Sequence, residues 1–182
     1  MKPVAVTTER LVLNQPNQSD LDLIVEYCRD PIFERYMATP WLYEPEHAET
    51  FVAVTVPTAW QSDTEYTWAL RTGGEFLGLV GFRTTISMID FWLGARQRGR
   101  GYMTEAVMAV ADWLFDSGTS SIDWECVVGN SASASIARRV GFTFTGEAPG
   151  DVMSRTGVAP RSWHATLLAT DRRQPQPGWP IP

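Results

Sequence analysis

Residues 93–104 read Leu-Gly-Ala-Arg-Gln-Arg-Gly-Arg-Gly-Tyr-Met-Thr: the end of an apolar strand, a short glycine loop and the start of a helix. Glycines at 99 and 101 let the backbone approach a ligand closely. The first turn of the helix presents unpaired N–H groups and the positive end of its dipole to whatever lies in front of it. Such a segment suits a pyrophosphate or another compact anion. Cations gather near it in sequence. Five of the fifteen basic residues fall in two short stretches, Arg96, Arg98 and Arg100 in one and Arg138 and Arg139 in the other, and arginine forks match phosphate oxygens. The loop lacks the Lys-Ser/Thr of a nucleotide-triphosphate loop and the third spaced glycine of a dinucleotide fingerprint, so neither ATP nor NAD is its natural ligand.

Hydrophobic periodicity supplies the elements that position this loop. Residues 4–14 read as a strand, with Leu11 and Leu13 alternating against polar neighbours. Ser19 followed by Asp22 predicts the start of a helix carrying Leu21, Ile24, Val25 and Cys28, and Pro31 ends it and opens a short second helix to Tyr36. A third helix starts near Pro45 with Ala48, Phe51, Val52 and Val56 on one face, and Pro57 is expected to end or kink it. Residues 66–71, 76–84 and 88–94 read as strands, the first two joined in a hairpin by Thr72-Gly73-Gly74. Residues 103–116 form the clearest helix, with Met103, Ala106, Val107, Val110, Leu114 and Phe115 on a core stripe and Gly118 as its stop. A strand over 122–128, a helix over 131–140 closed by Gly141, and strands near 142–146 and 163–169 complete a single domain over 1–173. Residues 174–182 hold four prolines and are expected to be an extended or disordered tail.

A chain of 182 residues, 44% hydrophobic and 20% charged, has the length and composition of one folded domain. No run of 18 uncharged apolar residues exists and no apolar segment follows the charged first ten residues, which argues against a membrane partner or a leader and for the cytoplasm. Cys28 and Cys126 have no metal-like spacing, so free thiols and no metal are expected. A formal charge of −6 excludes a broad basic surface for nucleic acid. It would instead steer a cationic ligand.

The loop resembles the signature Q/R-x-x-G-x-G/A of the GNAT superfamily of acetyl-CoA-dependent N-acetyltransferases. Arg98 and Gly101 take its first two fixed places and Met103 departs from the third; the shifted reading Arg96, Gly99, Gly101 is the other register. The first is preferred because Thr104-Glu105-Ala106 then opens the helix directly. The resemblance extends over about residues 8–170 and is closest to the branch containing the ribosomal-protein N-acetyltransferases. Thr8-Glu9-Arg10-Leu11-Val12-Leu13 is similar to that branch's opening strand and Asp30-Pro31 to Met37 to its second-helix region. Trp68-Ala69-Leu70 with Leu77 to Gly81 resembles its central hairpin. Asn130-Ser131-Ala132-Ser133 followed by Ile136 to Phe142 resembles its Asn-x-x-Ser segment and closing Gly-Phe.

The resemblance implies an α/β (α+β) class and a GNAT fold, a mixed, mostly antiparallel splayed sheet flanked by helices. The cofactor, acetyl-CoA, would lie where the fourth and fifth strands, 88–94 and 122–128, part. Pantetheine would pair with backbone of Leu93 and Ala95, and the pyrophosphate would sit on amides of Gly99, Arg100, Gly101, Tyr102, Met103 and Thr104. Asn130 and Ser133 would touch the pantetheine arm, and Arg98, Arg100, Arg138 or Arg139 would reach the adenosine phosphates. Glu125 stands where related enzymes carry a catalytic base, with Asp90 and then His164 as other candidates. The tyrosine that many relatives use to protonate the departing thiolate is replaced by Ala137; the resemblance to the ribosomal-protein branch implies the serine of Asn-x-x-Ser, here Ser133, as the donor. Trp41, Trp60 and Trp92 are candidates to line the acceptor pocket. The implied reaction is direct attack of a primary amine, on a protein N-terminus or a small molecule, on the acetyl thioester. A module that holds a CoA thioester without turnover is the alternative, and a nucleotide-binding regulator a remoter one. Monomer and homodimer both stay open.

Overall fold

The computed structural model describes residues 1–181; Pro182 lies outside the described residues. Eight strands form one sheet in the order β1-β2-β3-β4-β5-β6-β8-β7. These are β1 (Val6–Thr7), β2 (Val12–Asn14), β3 (Glu65–Thr72), β4 (Glu75–Arg83), β5 (Met88–Leu93), β6 (Ser121–Val127), β7 (Thr143–Pro149) and β8 (Arg161–Leu168). Every neighbouring pair is antiparallel except β5 and β6, which run parallel. The helices are α1 (Leu21–Cys28), α2 (Pro31–Tyr36), α3 (Pro45–Thr50), α4 (Val56–Gln61), α5 (Tyr102–Asp116) and α6 (Ser131–Val140).

Strand alternation sends side chains to two cores. Tyr66, Trp68 and Leu70 of β3 meet Val107, Val110 and Leu114 of α5, Ala134 of α6 and Trp60 of α4 on one face. Ala69, Phe76 and Leu79 meet Ile24, Phe33 and Ala48 of α1–α3, and Val52 just after α3, on the other. Gly73 and Gly74, at φ +54° and +88°, make the two-residue turn between Thr72 and Glu75 that only such backbone closes without splaying the strands. The Asp20–Arg71 pair ties α1 to the sheet, with Nη1 and Nη2 of Arg71 donating to the two carboxylate oxygens at 2.7 and 2.6 Å and Nε to Asn14 Oδ1 at 2.9 Å. Their side chains are only 11% and 2% exposed, so removing one partner would strand a buried charge at a cost of about 3–5 kcal/mol.

Three expectations are corrected. Residues 4–14 are not one strand: Thr8 N–H donates to Leu11 O at 2.9 Å and its Oγ1 accepts from Leu11 N–H at 3.0 Å, folding β1 back on β2. The cap before α1 is Asn17, reciprocally bonded with Asp20 around a 3-10 turn, rather than Ser19. Pro57 does not end its helix, because residues Phe51–Thr55 form a π turn between α3 and α4. The longer ladder there carries Val56 N–H to Phe51 O, and the shift absorbs a residue that has no donor. In the C-terminal segment Trp179 is 8% exposed, its ring 5.5 Å from those of Trp124 and Phe144.

Candidate active site

β5 and β6 share one register pair, Met88 with Asp123, beside which Asp123 N–H donates to Ser87 O at 2.8 Å. Beyond it they part. Gly94 N–H is bonded to Leu77 O on β4 at 3.0 Å, so by strand alternation the main-chain groups of Leu93 turn the other way, into the gap. The glycine loop closes the end of that gap. Gly99 and Gly101 hold φ +77° and +80°, conformations that cost other residues about 1–2 kcal/mol. Gly101 is the N-cap of α5 and its carbonyl takes the Glu105 amide at 3.1 Å, leaving the amides of Tyr102, Met103 and Thr104 without partners in the helix. Met103, the departure from the signature, is 2% exposed and belongs to the core. Its side chain therefore does not narrow the loop.

Sequence reading missed the groups that brace this loop. Arg10, from the β1–β2 turn, donates through Nη1 to Arg100 O at 3.0 Å and Nε to Glu105 Oε2 at 2.7 Å, and lies over the Tyr102 ring. Thr8 Oγ1 also donates to Glu105. Partial burial pushes the Glu105 carboxyl up, but the bonds from Thr8 and Arg10 outweigh it and hold it below its ordinary range. Gln97 is buried and donates to Glu75 Oε1 at 2.7 Å. Among the sequence-predicted cations, Arg96 is paired with Glu26 of α1. Arg98 donates through Nε to Leu93 O at 3.1 Å and forms an ion pair with Asp30, Nη2 to Oδ2 2.9 Å. Arg100 is exposed beside Gly99. Arg138 and Arg139 stand in the last turn of α6, about 12 Å along the helix from Asn130, where they face the negative end of its dipole.

The candidate bases differ in their surroundings. Asp90 and Glu125 project from β5 and β6 on the same sheet face, by register from Met88 and Asp123. Both oxygens of Glu125 are taken by backbone: Oε2 accepts from Asp151 N–H at 2.7 Å and Oε1 from Val152 N–H at 2.9 Å. His164 Nδ1 is 3.8 Å from Oε2, and its Nε2 is buried without a partner among the described residues. Glu125 thus anchors the β7–β8 loop. Asp151 brings a third ligand-type atom within 4.8 Å of those of Glu125 and His164, yet the carboxylate between them is already engaged by amides. Asp90 is less committed. Its Oδ2 lies 3.1 Å from Arg83 without an aligned hydrogen bond, and its Oδ1 overhangs Gly81 on β4, where a Cβ would come within 2.7 Å. Burial raises its carboxyl above the ordinary range, against the opposing Arg83 charge. Glu65, across Arg83, is raised by burial and by Asp90.

At the start of α6, Asn130 Oδ1 accepts the Ser133 N–H at 3.3 Å and caps the helix. The cap is thus Asn130, and the Ser133 hydroxyl makes no hydrogen bond among the described residues. Ala137, at the position of the absent tyrosine, is fully buried in the core. Ala95 opens the turn Ala95–Gln97 and is exposed at the mouth of the gap. α2 spans the opening. Phe33 packs on Trp92 with ring centroids 5.3 Å apart, Tyr36 OH donates to Gly129 O at 3.3 Å, and Arg155 of the β7–β8 loop gathers the carbonyls of Phe33, Glu34 and Met37. Trp41 and Trp92 border this α1–α3 region, whereas Trp60 is core. Burial pushes both thiols, Cys28 and Cys126, up to about 12, which leaves neither as a nucleophile near neutral pH. Cavities of about 520 and 410 Å³ border Met1, Trp60 and Tyr66 and share no residue with the loop.

The model of the acetyltransferase (GNAT) domain family matches residues 10–143. Among solved structures, Mycobacterium smegmatis RimJ in complex with CoA-disulfide aligns with TM-score 0.79 at 15% identity, covering 93% of this chain and 90% of that one. The Salmonella typhimurium acetyltransferase that modifies the N-terminal serine of a 50S ribosomal subunit protein aligns with TM-score 0.77 at 17% identity, over 91% and 99%. The ribosomal-protein-alanine acetyltransferase of Vibrio fischeri gives TM-score 0.74 at 17% identity, over 94% and 100%. No curated protein sequence matches the chain significantly. No helix among the described residues is long and apolar enough to cross a membrane.

Proposed function

The chain belongs to the acetyltransferase (GNAT) domain family, and from that premise we propose that it transfers the acetyl group of acetyl-CoA to the α-amine of a polypeptide N-terminus. The observation that carries the reading is the parting of β5 and β6 beyond Met88, closed at one end by the amides of residues 102–104. Pyrophosphate fits those amides, and the Leu93 main chain faces the gap where a pantetheine amide would pair. Acetyl-CoA supplies the activated acyl group. The acceptor nitrogen bonds to the thioester carbonyl carbon, the carbon–sulfur bond breaks, the nitrogen loses a proton and the thiolate gains one.

Acceptor choice follows from the bases at hand. At pH 7 an α-amine of pKa near 8 is about 10% neutral and a lysine amine only about 0.04%, a gap of roughly 250-fold or about 3 kcal/mol. A lysine acceptor would need a strong base in contact with it. Here Glu125 is held by two loop amides and Asp90 leans over β4, which supports an acceptor that is already partly neutral. The similarity to an enzyme described as modifying the N-terminal serine of a ribosomal protein supports the same acceptor. Asp90, with its raised carboxyl, receives the departing proton through water. Ser133, with its hydroxyl uncommitted, protonates the thiolate. Glu125 shapes the acceptor side through residues 151 and 152.

Calorimetric titration with acetyl-CoA, CoA and ATP, followed by thiol release against N-terminal peptides and a panel of small amines, tests the reading. Binding of both CoA species and release with peptides is expected. Binding without release on any amine would return the non-catalytic CoA module. No binding would overturn the proposal, and Asp90→Asn should lower kcat/KM about 100-fold if Asp90 is the base.

A further inference from the structure

Asp30 lies between two parts of the molecule that the proposed reaction uses separately. Its Oδ1 accepts the Ile32 N–H at 3.0 Å and so caps α2. Its Oδ2 is 2.9 Å from Arg98 Nη2. Arg98 is held at a second point by its Nε on Leu93 O at 3.1 Å. A hydrogen bond and an ion pair on one edge restrain the guanidinium, which leaves both N–H groups of Nη1 and the second of Nη2 as donors, on a side chain 37% exposed beside the glycine loop. A long arginine left free would have to be ordered by its ligand, at a loss of affinity. Held in place, it is ready for a phosphate oxygen.

The other end of the same short helix serves the acceptor side. Tyr36 reaches Gly129, next to Asn130, and the carbonyls of Phe33, Glu34 and Met37 hold Arg155. We infer that Asp30 is a positioning residue: one carboxylate oxygen aims Arg98 at the cofactor's phosphates while the other fixes the start of the helix that frames the acceptor opening. This rests on the glycine loop being the pyrophosphate site.

The two jobs can be separated by substitution. Asparagine caps a helix about as well as aspartate but cannot hold the arginine by charge, so Asp30→Asn removes the first role and keeps the second. Isothermal titration of the full chain with CoA should show Asp30→Asn binding about tenfold more weakly, with an unchanged melting temperature. Arg98→Met should weaken CoA similarly, and the double variant should bind no worse than Arg98→Met, because Asp30 acts through Arg98. Asp30→Ala should in addition speed hydrogen exchange at Gly129 and in residues 151–158. Wild-type affinity in Asp30→Asn, additive losses in the double variant, or a lowered melting temperature with unchanged CoA affinity would each overturn the inference. A wild type that binds no CoA would instead overturn the functional reading beneath it.

Discussion

Glu125→Gln separates a base from an anchor. The Glu125 side chain is 8% exposed and accepts backbone amides at 2.7 and 2.9 Å. Glutamine keeps one acceptor oxygen but turns an NH2 toward the other amide, so one charge-assisted bond, worth about 1.5–3 kcal/mol, is lost and the second becomes neutral. A total of about 2–3 kcal/mol in a chain of this size lowers the melting temperature by roughly 4–12 °C. Residues 151 and 152 should loosen, so the acceptor KM should rise several-fold while kcat and the acid limb of the pH–rate profile stay close to wild type. The measurements are thermal unfolding and steady-state thiol release from pH 5 to 9. A fall in kcat of about 100-fold or more with an unchanged melting temperature is the signature of a lost general base, and it would refute the anchoring role.

Ser133→Ala should lower kcat about tenfold without shifting the melting temperature, since the hydroxyl holds nothing in the fold; full activity in thiol release would move the donor role to water. Gly101→Ala places a Cβ at φ +80°, 3.4 Å from Arg10 Nη2, and should weaken CoA in calorimetry about tenfold through roughly 1–2 kcal/mol of backbone strain. Arg71→Met leaves Asp20 buried and unpaired and should cost about 3–5 kcal/mol in urea unfolding. Glu105 is ionised more readily in the folded chain than its ordinary 4.5. Its contribution to stability is therefore present above that value and is lost as the pH falls through the lower folded one, and Glu105→Gln should remove that part of the acid loss in thermal scans below pH 4.5.

The loop and its helix were legible because their causes are local. Glycines at positive φ and the stripe of Met103, Ala106, Val107 and Val110 need only neighbouring residues to be understood. The same holds for the Gly73-Gly74 hairpin and for Gly141 after α6. What stayed hidden depends on partners far along the chain. Arg10 looks like a surface residue of a strand until the turn at Thr8 brings it to Glu105, 95 positions away. Asp30 stands before the helix-opening Pro31, and nothing near it in sequence announces Arg98. Glu125 reads as an exposed strand carboxylate until the β7–β8 loop folds its amides onto it. Pro57 was read by its usual effect, which a one-residue widening of the helix cancels. Prolines over 174–182 announce an extended segment but not that Trp179 packs against Trp124 and Phe144.

The single pairing of Met88 with Asp123 also sets how easily the cleft changes width. A sheet with a full ladder between its halves must break bonds to open, whereas here one rung acts as a pivot and the remaining separation is governed by side chains. Small rotations about that rung move the far ends of β5 and β6 apart without breaking main-chain bonds within either half. Side chains span the parting as well: Tyr36 on Gly129, Arg155 on the end of α2, and the core that α5 shares with Ile89 and Trp124. The width between the two strands is therefore set by side-chain contacts that can be exchanged one at a time, with the loop at residues 99–101 left as it is.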